Sequence, residues 1–301
     1  MDEIDKKIIL WLDRNCRTSY EELARNVNMS ANAVRKRVLN LIESGIIEKF
    51  VVMLHLSMID THYAFAFIHT NGDEDKESLY KNLRNNPEIV QVFNIAHGYG
   101  GLYIGVIGFK RQEELSMVGD SIRTLEYVTS VDIDIILYSR GNKAKLTKTH
   151  IKILKSLVKN PRMSISDLAE TTGFSARKIG NALKYLHDSG GVNFSILWNL
   201  STGGLTEVFI KIQWNAKKTN SNEIINTLRT RYPLEFWSSF VSSLSTVMYA
   251  RFVVNQIDDM DKILSELKII DTIDRVSSYV CYSSTLFILP GEREMLRLVD
   301  S

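Results

Sequence analysis

At 301 residues and 34.4 kDa, with 45% apolar residues, 24% charged residues and only 4 prolines, the chain has the composition of several folded domains, not of one small domain or a disordered segment. Two cysteines, Cys16 and Cys281, without Cys-x-x-Cys or Cys/His spacing, argue against a disulfide framework or a zinc site, so neither metal nor cofactor is expected. The first residues are acidic where a signal peptide is basic, and no apolar run approaches the ~20 residues of a membrane span, so a cytoplasmic protein with no membrane contact is expected.

The net charge of +2 hides an uneven distribution. Lys and Arg exceed Asp and Glu by 1 over residues 1–54, fall short by 5 over 55–142, exceed by 7 over 143–200 and fall short by 1 over 201–301. The positive charge lies in two short segments, which suggests that these meet a polyanion.

Residues 1–55 read as a winged helix-turn-helix. Ile4, Ile8, Ile9 and Leu12 recur at helical spacing, and Ser19-x-x-Glu22 forms a capping box that opens a short second helix. After the turn at 28–30 a third helix is predicted over 30–44, with Ser30 as N-cap, Val34, Val38, Leu41 and Ile42 inward, and Gly45 as its stop. Its other face carries Asn32, Arg35, Lys36, Arg37 and Asn40, residue types that pair with base edges and phosphates in the major groove. Two strand-like runs, around 46–47 and over 50–54, are expected to make the wing.

Residues 56–142 follow with strand-like runs at 63–68, 89–96, 102–109 and 131–137 and helical runs at 74–84 and 112–125, the β-α-β-β-α-β order of a ferredoxin-like domain. Shifting the chain by 145 residues then lays 5–54 over 150–199 without a gap. Residues 143–200 are therefore a second winged helix-turn-helix, and 201–301 a second ferredoxin-like domain with elements near 208–214, 222–231, 236–244, 247–254, 260–267 and 276–288. The fold class is α+β. In the second copy Gly180 and Ala182 replace Arg35 and Arg37, and the contact set becomes Ser175, Arg177, Lys178, Asn181 and Lys184. Double-stranded DNA is the expected partner. The two units are expected to pair within one chain or across a homodimer, with higher homo-oligomers as an extension.

The run Ile4-Asp5, Ile8-Ile9, Leu12, Ser19, Glu22-Leu23-Ala24, Ser30, Val34, Arg37-Val38, Leu41, Gly45-Ile46-Ile47 resembles the leucine-responsive and asparagine-operon regulators, the Lrp/AsnC family. The resemblance covers 1–140 well and 146–290 more loosely, and family members carry one such unit where this chain has two. It implies a sequence-specific transcription regulator responsive to an amino acid or other small molecule, with the effector near a glycine-containing turn ahead of the third strand of the sensor domain. That turn aligns with 96–102, which makes His97, Gly98, Tyr99 and Gly101 the candidate effector residues; the family's acidic residue in the turn is absent, and the second copy, Ser242-Ser243-Leu244-Ser245-Thr246, has no glycine. The sirohaem decarboxylases resemble the same two-module architecture and use sensor-domain histidines, so an enzyme is the rival reading. His55, His62, His69 and His97 in the first unit, and His150 and His187 in the second, show no metal-ligand spacing, and no nucleophile–base set or phosphate loop is present, so no catalytic residue is assigned. An architectural DNA-binding protein is the third reading.

Overall fold

The structure, a computed structural model, describes residues 1–137 and 141–300. The first half of the chain runs α1 (Glu3–Arg14), α2 (Tyr20–Val27), α3 (Ala31–Glu43), β1 (Ile47–Leu54), β2 (His62–Thr70), α4 (Lys76–Arg84), β3 (Ile89–Ile95), β4 (Leu102–Phe109), α5 (Gln112–Arg123) and β5 (Val128–Leu137). The second half repeats that order as α6 (Lys148–Lys159), α7 (Ile165–Thr172), α8 (Ala176–Asp188), β6 (Val192–Trp198), β7 (Thr206–Trp214), α9 (Ser221–Arg231), β8 (Phe236–Ser242), β9 (Val247–Val254), α10 (Ile257–Lys268) and β10 (Ile273–Leu286), and α11 (Pro290–Asp300) follows. The fold is α+β: two winged helix-turn-helix modules alternate along the chain with two ferredoxin-like βαββαβ modules.

The modules gather by kind into two compact units, one of Met1–Asp60, Arg140–Gly203 and Leu289–Ser301, the other of Thr61–Ser139 and Gly204–Ile288. In the helical unit the 145-residue repeat shows in the core. Ile8, Ile9, Leu12, Leu23 and Val34 are fully buried, and so are their counterparts Ile153, Leu154, Leu157, Leu168 and Ile179. Each such side chain contributes about 1.5–3 kcal/mol by leaving water, so the same five positions hold both modules together. Ile42, expected on the inward face of α3, is 38% exposed, because the helix turns it past the stripe of Val34, Val38 and Leu41.

Two further expectations are corrected in this unit. The runs at 46–47 and 50–54 do not form a local wing hairpin; they are one strand, β1, and its partner is β6. The ladder is antiparallel and pairs Phe50 with Ile196 and Val51 with Ser195, so residues equivalent under the repeat exchange partners. A lone strand would expose a row of unpaired N–H and C=O groups, and the duplicate strand supplies what a hairpin arm would otherwise supply. The second correction concerns 201–301, read as one ferredoxin-like domain: its last helix, α11, belongs with the helix-turn-helix modules, packing on β1 and α6. Met295 and Val299 are buried there, Glu292 accepts from Lys49 Nζ at 2.6 Å, and Gly291 lies so close to the Leu54 carbonyl that a side chain would collide with it.

In the other unit the two βαββαβ modules close one eight-stranded barrel in the order β10-β3-β4-β2-β5-β8-β9-β7. The last strand of each module pairs with the second strand of the other, β5 with β8 and β10 with β3. One chain thus supplies both halves of the pair. On β2, Ala64, Ala66 and Ile68 pack under α4 and α5, so the alternate residues Phe65, Phe67 and His69 face the barrel interior. β7 repeats this with Val208, Ile210 and Ile212 under α9 and α10, and Phe209 and Lys211 inward.

Candidate nucleic-acid interface and barrel cavity

Both recognition helices start the same way. Asn28 at φ 54° and Gly173 at φ 70° end α2 and α7 in the left-handed region, where asparagine and glycine are tolerated. Two residues later the Ser30 hydroxyl accepts from the Ala33 N–H at 3.2 Å, and the Ser175 hydroxyl from the Lys178 N–H at 3.4 Å. Ser30 and Ser175, expected at the DNA interface, are thus helix caps, with side chains already engaged. On α3 the exposed row is Asn32, Arg35, Lys36 and Asn40; on α8 it is Arg177, Lys178, Asn181 and Lys184. The Lys178 ammonium lies 4.1 Å from the centre of the Phe174 ring, a cation–π contact that holds it beside the helix start.

Arg37 departs from the expectation. Its Nη1 donates to Asp2 Oδ2 and Asp5 Oδ1, both at 2.8 Å, which ties α3 to the start of α1. Burial pushes the Asp2 carboxyl up, but the Asp5 N–H and the Arg37 guanidinium outweigh it and hold it below its ordinary value. Both carboxylates are met by the one nitrogen, Nη1, and Arg37 is less exposed than Arg35 and Lys36 beside it.

Sequence reasoning missed the contact that fixes one module against the other. Arg17 donates to the Pro161 carbonyl at 2.5 Å and to the Met163 carbonyl at 2.9 Å. Arg162, its equivalent under the repeat, donates to the Cys16 and Thr18 carbonyls at 2.5 and 3.2 Å. Each arginine reaches the turn that carries the other, a reciprocal clamp. Burial depresses the Arg17 pKa, Arg162 adding to the effect, so these are two partly desolvated cations satisfied by backbone carbonyls. The Arg162 guanidinium also lies 4.8 Å from the Tyr20 ring centre and 5.4 Å from that of Phe50. Cys16 beside it is buried, and burial pushes its thiol up to about 12.

In the barrel unit the four candidate effector residues separate. Gly101 is wedged where a side chain would strike the Thr70 hydroxyl and Glu74, and its N–H donates to Thr70 Oγ1 at 3.0 Å. The left-handed residue of this turn is Gly100, at φ +67°, packed on the Thr70 carbonyl. Gly98 is exposed, and Tyr99 is 87% exposed. Only His97 reaches a cavity, one of about 480 Å³ at the barrel end formed by the C-terminal ends of β2 and β7. His69, weighed in the sequence only as a histidine without metal-ligand spacing, also lines it, together with Asp132, Asp134, Lys211, Tyr249 and Tyr279, none of which the sequence singled out. The run 131–137 reads as a strand, and on its cavity-facing side Asp134 is half-buried whereas Asp132 stays exposed. Elsewhere in the barrel interior the aromatic rings pack on one another, with Phe65 5.9 Å from Phe209 and 5.0 Å from Phe240, and Phe93 4.9 Å from Phe209. At the N-terminal end of β7, Glu207 and Arg251 pair at 2.6 Å.

His62 and His69, at the two ends of β2, face opposite sides of the sheet; His62 packs on Phe109, whereas His69 approaches His97 at 5.9 Å between ring centres. Among the described residues no group of three or more His, Cys, Asp and Glu is placed to hold a metal ion, and no helix is long and apolar enough to cross a membrane.

Comparison with known proteins bears on the helix-turn-helix modules. The AsnC-type helix-turn-helix domain matches residues 1–42, and a winged helix-turn-helix DNA-binding domain matches 146–190. The HTH-type transcriptional regulator FL11 of Pyrococcus horikoshii is 27% identical over 147 residues, 48% of this chain and 95% of that protein. The HTH-type transcriptional regulator LysM of Sulfurisphaera tokodaii is 28% identical over 137 residues, 46% of this chain and 95% of its own length. Such relatives correspond to half of the chain. Over the whole length, the crystal structure of the siroheme decarboxylase NirDL is similar in fold, with a TM-score of 0.53, 12% identity and 99% of both chains covered. The chain thus carries an AsnC-type helix-turn-helix domain and a second winged helix-turn-helix DNA-binding domain, and over half its length it is similar to HTH-type transcriptional regulators that match it along nearly their whole length.

Proposed function

We propose that the protein is a sequence-specific DNA-binding transcription regulator, working with the chromosome in the cytoplasm, in which one chain presents both recognition helices. The observation that carries this reading is the helical unit: α3 and α8 are each capped and each expose a row of Asn, Lys and Arg, and the β1–β6 ladder and the Arg17/Arg162 clamp join them. Asn32, Arg35, Lys36 and Asn40 read the operator, and Arg177, Lys178, Asn181 and Lys184 add a second set of contacts. Because the two sets differ, the operator of one chain is asymmetric; homo-oligomers would repeat that asymmetric site. A small molecule bound by the barrel unit modulates this activity.

The test is competition. Genomic fragments selected on the full-length protein should yield a site preferred over bulk duplex by roughly a thousandfold or more at physiological salt, with a footprint lacking a palindrome. Comparable affinity for any duplex would instead support an architectural protein. NirDL and its iron-uroporphyrin III analogue complex share the fold at 13% identity or less, which makes porphyrin the probe for the enzyme alternative: turnover after incubation with it would overturn the regulator reading.

A further inference from the structure

The two repeats meet across the barrel cavity, yet its walls are chemically unlike. Strand register makes the comparison direct: Phe67 pairs with Asp132 on β2 and β5, and the equivalent pair on β7 and β10 is Lys211 with Ser277. Likewise Phe65 opposite Asp134 becomes Phe209 opposite Tyr279. Both aspartates therefore come from the first repeat and the lysine from the second.

Asp134 is already engaged, accepting from Ser242 Oγ at 2.7 Å and from the Tyr249 hydroxyl at 3.0 Å. Asp132 forms no ion pair among the described residues, and neither aspartate pairs with Lys211, whose ammonium lies 5.9 Å from the Tyr249 ring centre. Beside Asp132, Phe67 stands 5.3 Å from Tyr249 and 5.5 Å from Tyr279, so three aromatic rings cluster at the carboxylate wall. Two carboxylates and one ammonium leave the lining one negative charge in excess when the histidines are neutral, and aromatic faces attract cations. An anion would meet both aspartates, and a neutral zwitterion would leave the excess charge uncompensated.

We propose that the barrel cavity binds a small organic cation, an amine whose ammonium lies against Asp132 and whose apolar body rests on Phe67, Tyr249 and Tyr279. The volume suits such a ligand, falling in the ~300–1,000 Å³ range of small-molecule sites. Binding stands apart from the DNA-binding reading; only its use as an effector signal rests on that reading.

Calorimetric titration of the full-length chain without DNA tests the site, using 2-phenylethylamine, the neutral 2-phenylethanol, the anionic 3-phenylpropionate and the zwitterionic L-phenylalanine. The amine should bind at one per chain, about tenfold or more tighter than the other three, because the alcohol and the propionate have no ammonium for a charge-assisted hydrogen bond to Asp132 and phenylalanine brings a carboxylate of its own toward the two aspartates. Asp132→Asn should weaken the amine by a similar factor and leave 2-phenylethanol unchanged, while Lys211→Met should strengthen the amine. Tighter binding of phenylalanine, equal binding of amine and propionate, no saturable amine binding in the millimolar range, or undiminished amine affinity in Asp132→Asn would each overturn the proposal. A parallel operator titration with and without amine separates failure of the site from failure of the regulator reading.

Discussion

The two helix-turn-helix modules bury the same positions and cap the same helices, yet where α3 carries Arg35 and Arg37, α8 carries Gly180 and Ala182. The difference separates what a recognition helix needs in order to fold from what it needs in order to read. Ser30 and Ser175, Val34 and Ile179, Leu41 and Leu186 serve folding and persist in kind, whereas the exposed row changes from Asn-Arg-Lys-Asn to Arg-Lys-Asn-Lys. The first module carries the tie from Arg37 to α1, and the second has no arginine with which to repeat it.

The strongest test of that difference is to strip each row in turn. Arg35→Ala/Lys36→Ala should lower operator affinity about a hundredfold with thermal stability unchanged, as expected for base contacts worth ~1–3 kcal/mol each. Lys178→Ala/Lys184→Ala should cost less and weaken all sequences alike, with a shallower salt dependence. Fluorescence anisotropy over a salt series decides, and a larger loss from the second pair would reverse the assignment.

Next in size is the clamp. Arg162→Ala orphans two carbonyls and two aromatic contacts, and should destabilise the helical unit by about 2 kcal/mol in urea unfolding, with Arg17→Ala somewhat milder. The double variant should lose less than the sum of the two, because the pair forms one contact across the same interface. Strict additivity would show that the arginines act independently.

The smallest expected effect is at Gly180. A Cβ there meets nothing within 4 Å, so Gly180→Ala should stabilise by about 1 kcal/mol through helix propensity alone. Unchanged DNA affinity would mean that the duplex keeps its distance from this turn of α8; a loss would place the phosphate backbone against it.

Much of this was legible beforehand for identifiable reasons. The strands 102–109 and 247–254 lie where read, because their apolar runs are bounded by turn residues, and the helix starts follow from serines placed before apolar stripes. What escaped depends on partners distant in sequence. β1 looked like half of a hairpin because its true partner lies in the other repeat; α11 was read with the ferredoxin-like module before it; and Asp132 and Lys211 drew no attention because nothing in a single strand says which side chains of two distant modules will line one cavity. Arg37 illustrates the converse limit, since a basic residue on a helix face reads as a contact for DNA and gives no sign in the sequence of the two carboxylates that it also meets.

The barrel closed by one chain has a consequence for how the molecule can change. In a two-fold dimer every substitution appears twice, once on either side of the axis, and an acid placed on one wall confronts itself on the other. Covalent fusion removes that constraint, and it also frees assembly of the barrel from protein concentration, because the partner is always present at the effective molarity set by the tether. A lone Lys211 facing Asp132 and Asp134, and a lone Arg251 paired with Glu207, are charge patterns open only to a molecule that is its own partner.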